Sequence, residues 1–153
     1  MEKNNIVLTT ENLSVSRLIH NLDKVELSLL NNKLKDIGLS NIQALVIIYL
    51  SDNINQEVFQ KNLEKEFGVT NPTMTVSLKS MQAKGLIVKE KSKVDGRYYR
   101  LVLTTKGKNL YPKCISIYTE IDALHRTILS KEEIEFLSQI LPKLTATLKE
   151  RID

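Results

Sequence analysis

The chain has 153 residues, 42% apolar and 26% charged, which suits one compact domain or two small lobes and excludes a disordered chain. No apolar run approaches the roughly 20 residues of a membrane span. Residues Met1–Asn5 lead into no extended apolar segment of the secretory kind, and the single cysteine excludes an internal disulfide framework or a cysteine-cluster zinc site, so the cytoplasm is the expected compartment. The formal charge is only +4, yet residues 69–113 carry ten Lys/Arg against two Asp/Glu, a net +8, while the rest of the chain is net negative. A window of that kind is either the footprint of a polyanion or a solvated face.

In chain order, apolar residues recur at helical spacing from about Glu11 to Lys35, with Leu18, Leu22, Val25 and Leu29 in one stripe and Leu27, Leu30 and Leu34 beside it. A helix of about 25 residues spans roughly 37 Å, longer than a small lobe can cover, so part of its apolar surface needs another partner. Gly38 closes it. Ser40 and Gln43 read as a capping box opening a second helix, Asn41 to about Leu50, apolar nearly all round and hence central. Ser51–Gln56 reads as loop. A short helix then runs to about Phe67, and Gly68 breaks it.

Thr70 or Asn71 caps the next helix, with Pro72 tolerated in its first turn. Met74, Leu78 and Met81 share one face. Pro72, Thr75, Val76, Lys79, Ser80 and Ala83 fall on the other, which is small, polar and free of acid. Gly85 ends this helix. Two extended runs, Leu86–Lys91 and Tyr98–Leu103, flank a turn signalled by Asp95-Gly96. The hairpin carries Lys89, Lys91, Lys93, Arg97 and Arg100. Thr104 or Thr105 opens a long helix to about Arg126, in which Pro112 is the place for a kink. Ser130 and Glu133 box the start of the last helix, where Ile134, Leu137, Leu141, Leu144 and Leu148 take heptad-like positions and Pro142 is expected to bend it.

A short helix, a glycine turn, a second helix and a basic hairpin make a winged helix-turn-helix. A helix fits the major groove, and a cationic hairpin beside it reaches phosphates or the neighbouring minor groove. Residues 38–107 resemble the MarR-type (multiple antibiotic resistance regulator) family. The likeness rests on Leu39–Leu50, on Leu63–Gly107, and within the latter on Asp95-Gly96-Arg97 followed by Leu103-Thr104-Thr105-Lys106-Gly107. The fold class expected is mainly α with a small β-hairpin wing, a winged helix-turn-helix in a helical homodimer. The DNA-binding lobe would span about 38–107, and residues 8–37 and 105–153 would form the dimerisation region.

By resemblance, the recognition helix is Asn71–Lys84. Thr70, Asn71, Thr73, Thr75, Val76, Lys79 and Ser80 would face DNA, Arg97 would enter the minor groove, and Asp95 would hold the wing in shape by pairing with a nearby cation. Lys89, Lys91 and Lys93 are the candidate phosphate contacts. Three residues depart from the family pattern: Val76 replaces a basic or polar contact, Glu64 a small residue between the motif helices, and Phe59 a Thr or Ser cap. The resemblance also implies a small lipophilic or aromatic effector, with Leu13, Arg17, His20, Tyr49 and Tyr111 as candidate lining. The expected partners are double-stranded DNA carrying a pseudo-palindromic operator and a second copy of the chain, with no membrane.

No catalytic constellation or phosphate loop is visible, so no enzyme activity, cofactor or metal is expected. Cys114 reads as a buried structural thiol, and Asp122 with His125 as a surface ion pair rather than half a metal site. A thiol- or metal-responsive sensor of the same fold and a winged-helix protein-interaction module are the alternative functions.

Overall fold

The computed structural model describes residues 14–152, and its elements follow one another as α1 (Val15–Lys35), α2 (Asn41–Asp52), α3 (Gln60–Phe67), α4 (Asn71–Ala83), β1 (Ile87–Lys91), β2 (Tyr99–Leu103), α5 (Thr105–Ile128) and α6 (Lys131–Lys149). They fall into two units, one up to Ile115 and one from Ser116.

The first unit is built on α2. Ser40 Oγ accepts from the Gln43 N–H at 3.3 Å, while Gln43 Oε1 accepts from the Ser40 N–H at 3.2 Å, so both halves of the expected capping box are made. Ala44, Val46, Ile47 and Leu50 are buried along this helix. It runs two residues beyond the expected end, because the polar pair Ser51-Asp52 does not break it. It ends at Asn53, whose backbone leaves the helical region at φ −111° and ψ 29° while its Nδ2 donates to the Tyr49 carbonyl at 2.9 Å. Helix α1 starts at Val15 rather than near Glu11, since the Ser14 hydroxyl accepts from the Arg17 N–H and caps it there. Glu11–Leu13 lie outside the described residues. Only Leu30 and Leu34 of its apolar residues are buried; Val15, Leu18, Ile19, Leu22 and Val25 are exposed.

Helix α4 lays Met74, Leu78 and Met81 into the core, each almost fully buried, as their spacing predicts. Burial of side chains that size contributes about 1.5–3 kcal/mol apiece, which sets the roll of this helix and hence the face it leaves outside. The hairpin pairs antiparallel with Ile87 opposite Leu103 and Lys89 opposite Leu101. Leu101 and Leu103 are buried, as the alternation predicts, and the Leu101 N–H donates to the Val58 carbonyl at 2.8 Å, tying the wing to the segment before α3.

The second unit holds the end of α5 and α6. Ser130 and Glu133 exchange hydrogen bonds of 3.1 and 2.7 Å in the expected capping box. Pro112 and Pro142 lie inside α5 and α6, which continue through them. Phe136, Leu137, Ile140, Leu141 and Leu148 are exposed on α6. No helix among the described residues is long and apolar enough to cross a membrane.

Candidate nucleic-acid interface

The turn between α3 and α4 is short because Gly68 takes φ +61°, a left-handed conformation in which the Gly68 and Val69 N–H groups reach back to the Glu64 carbonyl. Thr70 then caps α4, its Oγ1 accepting from the Thr73 N–H. Asn71, Pro72, Thr73, Val76 and Lys79 are exposed, and Val76, at 69% exposure, is an apolar residue standing in solvent. Thr75 and Ser80 are only half-exposed, a correction to the fully open face expected from spacing alone. Thr75 leans toward α3, where Gln60 Nε2 donates to its Oγ1 at 2.9 Å. Phe59 cannot cap α3 with its ring. The other half of the cap survives, as Asn62 Oδ1 accepts from the Phe59 N–H at 2.8 Å.

The wing turn differs from the tight hairpin that Asp-Gly suggests. Seven residues, 92–98, separate the last paired positions Lys91 and Tyr99, and Gly96 does not have positive φ. The turn is closed instead by the Tyr98 N–H donating to the Asp95 carbonyl at 3.0 Å, with Gly96 and Arg97 at its centre. Asp95 pairs with Arg97 itself: Nε donates to Oδ1 at 3.0 Å and Nη2 to Oδ2 at 2.7 Å, while the Arg97 N–H donates to Oδ1 at 3.1 Å. The pair holds the Asp95 carboxyl below its ordinary range and raises the Arg97 guanidinium. The Arg97 side chain remains 83% exposed. Val94, at the tip, is 91% exposed.

The base of the wing is organised around Glu57. Its carboxylate accepts from the Ser92 hydroxyl and the Lys93 N–H, each at 2.6 Å, and Ser92 Oγ in turn accepts from the Val94 and Asp95 N–H groups at 3.1 Å. Arg100 donates to Glu90 at 2.7 Å, and its Nε lies 4.0 Å from Glu57. Lys84 Nζ donates to the Gly38 carbonyl and Lys106 Nζ to the Lys84 carbonyl, at 2.7 and 2.8 Å. Arg100, Lys84 and Lys106 thus also bond to the fold, although Lys84 and Lys106 stay exposed, as do Lys79, Lys89, Lys91, Lys93 and Arg97 on α4 and the wing.

The Ser92 and Lys93 hydrogen bonds hold the Glu57 carboxyl below its ordinary 4.5. A depressed folded-state value means stability that is complete above 4.5 and lost as pH falls through the lower folded value. Glu57→Gln should therefore melt earlier than wild type at neutral pH. The gap should close as pH drops below about 4.5, a trend that thermal melts across pH will show.

Of the effector candidates, Leu13 lies outside the described residues. Arg17 and His20 are exposed on α1. Tyr49 is half-buried, edge-on to Phe67 at 5.9 Å, and Tyr111 donates its hydroxyl to Asp52 at 3.0 Å, an acceptor that raises its pKa. Cys114 is fully buried, and desolvation pushes its thiol up to about 11. An aromatic disulfide reagent should leave the folded protein unmodified at pH 8 and titrate one thiol after denaturation, since only the thiolate reacts. Asp122 pairs with Arg126 at 2.7 Å, and no cluster of metal-ligating residues occurs among the described residues.

A model of the MarR family matches residues 37–97. The transcription regulator MarR from Oenococcus oeni PSU-1 is 32% identical over 87% of this chain and 99% of its own, with a TM-score of 0.72. The chain belongs to the MarR family. A structure of the Staphylococcus aureus MepR–DNA complex is 26% identical over 89% of this chain and 98% of its own, with a TM-score of 0.81. The transcriptional regulator SlyA, at 22% identity and a TM-score of 0.80, shares the fold.

Within this MarR-family chain the Leu-Thr-x-x-Gly segment after the wing has a mechanical reason. Thr104 Oγ1 accepts from the Gly107 N–H at 3.1 Å and so caps α5, while its own N–H donates to the Leu86 carbonyl at 3.0 Å. Gly107 is then pressed onto that same carbonyl, where a Cβ would overlap the oxygen and stand 3.0 Å from Leu103 Cδ2. Sequence reasoning missed Glu57, Gln60 and Glu64 as supports of the site. Their partners Ser92, Thr75 and Asn71 lie 35, 15 and 7 residues away, and no local pattern announces such bonds.

Proposed function

We propose that this MarR-family protein is a sequence-specific double-stranded DNA-binding transcription regulator that works as a homodimer and represses until a small lipophilic or aromatic ligand binds. The observation that carries the reading is the exposed, acid-free face of α4 combined with a wing that displays Lys89, Lys91, Lys93 and Arg97, all inside the one strongly cationic window. In this reading Thr70, Asn71, Thr73, Thr75, Val76, Lys79 and Ser80 face the major groove. Short hydroxyl and amide side chains suit base edges, and Val76 suits a thymine methyl. The wing lysines take phosphates, and Arg97 leaves Asp95 for the minor groove. The relative MepR, solved as a complex with DNA, supports the partner.

Two recognition helices entering successive major grooves would stand about 10 bp apart on a pseudo-palindrome. Exposed apolar residues supply the argument for pairing: Val15, Leu18, Ile19, Leu22 and Val25 on α1, and Phe136, Ile140 and Leu141 on α6. Residues 8–37 and 105–153 are assigned to the dimerisation region on that ground. Sedimentation at micromolar concentration should show a dimer, and a stable monomer would contradict the assignment. A ligand that prefers one spacing of the two recognition helices shifts the population toward or away from DNA-competent states. Leu13, Arg17, His20, Tyr49 and Tyr111 are the proposed lining.

The test is selection from random duplexes, with and without aromatic carboxylates. A pseudo-palindrome released by one of these acids is expected. Recovery of no preferred sequence would overturn the sequence-specific reading, and retention of the same sequence under every acid would overturn ligand relief.

A further inference from the structure

Four polar side chains between α3 and α4 form a hydrogen-bonded chain. Gln60 and Glu64 stand one turn apart on α3, and Asn71 and Thr75 one turn apart on α4. Asn71 Nδ2 donates to Glu64 Oε1 at 2.6 Å. Gln60 Nε2 donates to the same oxygen at 3.2 Å and to Thr75 Oγ1 at 2.9 Å. A carboxylate oxygen accepts and cannot donate, so Glu64 dictates which end of the Asn71 amide turns toward α3. That bond uses one amide hydrogen. The carbonyl oxygen and the second N–H remain, an acceptor beside a donor, on an exposed side chain in the first turn of α4.

In the major groove, adenine presents the complementary pair, the N6 amino donor beside the N7 acceptor. Guanine presents two acceptors, cytosine a donor, and thymine an acceptor and a methyl group. We propose that Asn71 reads adenine at one position of each half-site and that Glu64, without touching DNA, is the positioning residue that sets this preference. The inference rests on the DNA-binding reading above. Glu64 has two effects of opposite sign. Its negative charge near the phosphate backbone weakens binding to every duplex, while its hold on Asn71 favours one base. A loosened helix would instead lower affinity for all sequences alike.

The experiment takes the full chain and a selected duplex, replaces each half-site position by all four base pairs, and measures affinity by fluorescence anisotropy. Wild type should prefer adenine at one position by roughly ten- to hundredfold, and Asn71→Ala should abolish the preference there alone. Glu64→Ala should reduce it by about threefold or more at the same position and bind mixed-sequence duplex as tightly as wild type or more so. Asn71→Ala added to Glu64→Ala should remove only the preference that remains. Glu64→Gln keeps an acceptor oxygen and should retain more discrimination than alanine; thermal melts confirm that each variant folds.

The proposal is overturned if no adenine preference depends on Asn71. It is equally overturned if Glu64→Ala leaves the preference intact or weakens all four bases equally. Duplex binding with any of those results removes this inference alone, whereas no duplex binding by wild type removes the functional reading beneath it.

Discussion

Gly107→Ala should destabilise the fold by about 3 kcal/mol, the upper end for forcing an extra methyl group into a packed site. The added Cβ would overlap the Leu86 carbonyl oxygen, and that oxygen cannot easily move because it also accepts from the Thr104 N–H at 3.0 Å. The Thr104 hydroxyl lies 2.6 Å from the Gly85 carbonyl and 3.1 Å from the Leu86 carbonyl, so the joint between the end of α4, β1 and the start of α5 is held at several points. Relief would require α5 to lift away from Leu86, breaking the cap that Thr104 gives Gly107. For a chain of this length the melting temperature should fall by roughly 10 °C. Calorimetry on the two proteins decides it, and a variant melting within about 2 °C of wild type would show that the joint is soft.

Arg97→Ala should lower affinity for a selected duplex by roughly ten- to hundredfold. In the free protein Arg97 is bound to Asp95, so the effect depends on how readily that pair exchanges for a phosphate or a groove edge. The guanidinium is 83% exposed and the carboxylate 35% exposed, and ion pairs of that exposure contribute little to the fold. The variant should therefore fold as wild type does and lose binding only. Titration of both proteins against one duplex at several salt concentrations checks this. The variant should also show a shallower salt dependence, because fewer counterions are released. Equal affinities would remove the wing tip from the interface.

The elements of this fold were legible wherever the cause was local. Ser40 with Gln43 and Ser130 with Glu133 announced helix starts from a three-residue spacing, and Met74, Leu78 and Met81 announced a buried face. Boundaries failed where the deciding group was a single capping side chain. Ser14 starts α1 later than its apolar stripe suggests, and Asn53 ends α2 after two polar residues that read as loop. The Asp95-Gly96 signal placed the turn correctly but not its type. Ser92 and Glu57 bind its backbone N–H groups and impose a wider loop.

The candidate interface divides the same way. The exposure of Val76 and Lys79 followed from spacing and that of the wing lysines from charge, whereas Thr75 and Ser80 are only half-exposed. Within the charge window Lys84, Arg100 and Lys106 also bond to carbonyls and carboxylates of the fold, and of these three Arg100 is the one drawn partly out of solvent. The side chains that restrain Thr75 and Asn71 come from another helix, and a one-dimensional pattern carries no such information.

The most direct test of the account is a titration of the purified protein with a mixed-sequence duplex from low ionic strength upward. If the face of α4 and the wing meet DNA, the duplex is bound at low salt. Log affinity then falls against log salt with a slope of about −4 or steeper, as expected for about five or more neutralised phosphates. Failure to bind any duplex at the lowest ionic strength, or affinity indifferent to salt, would contradict it.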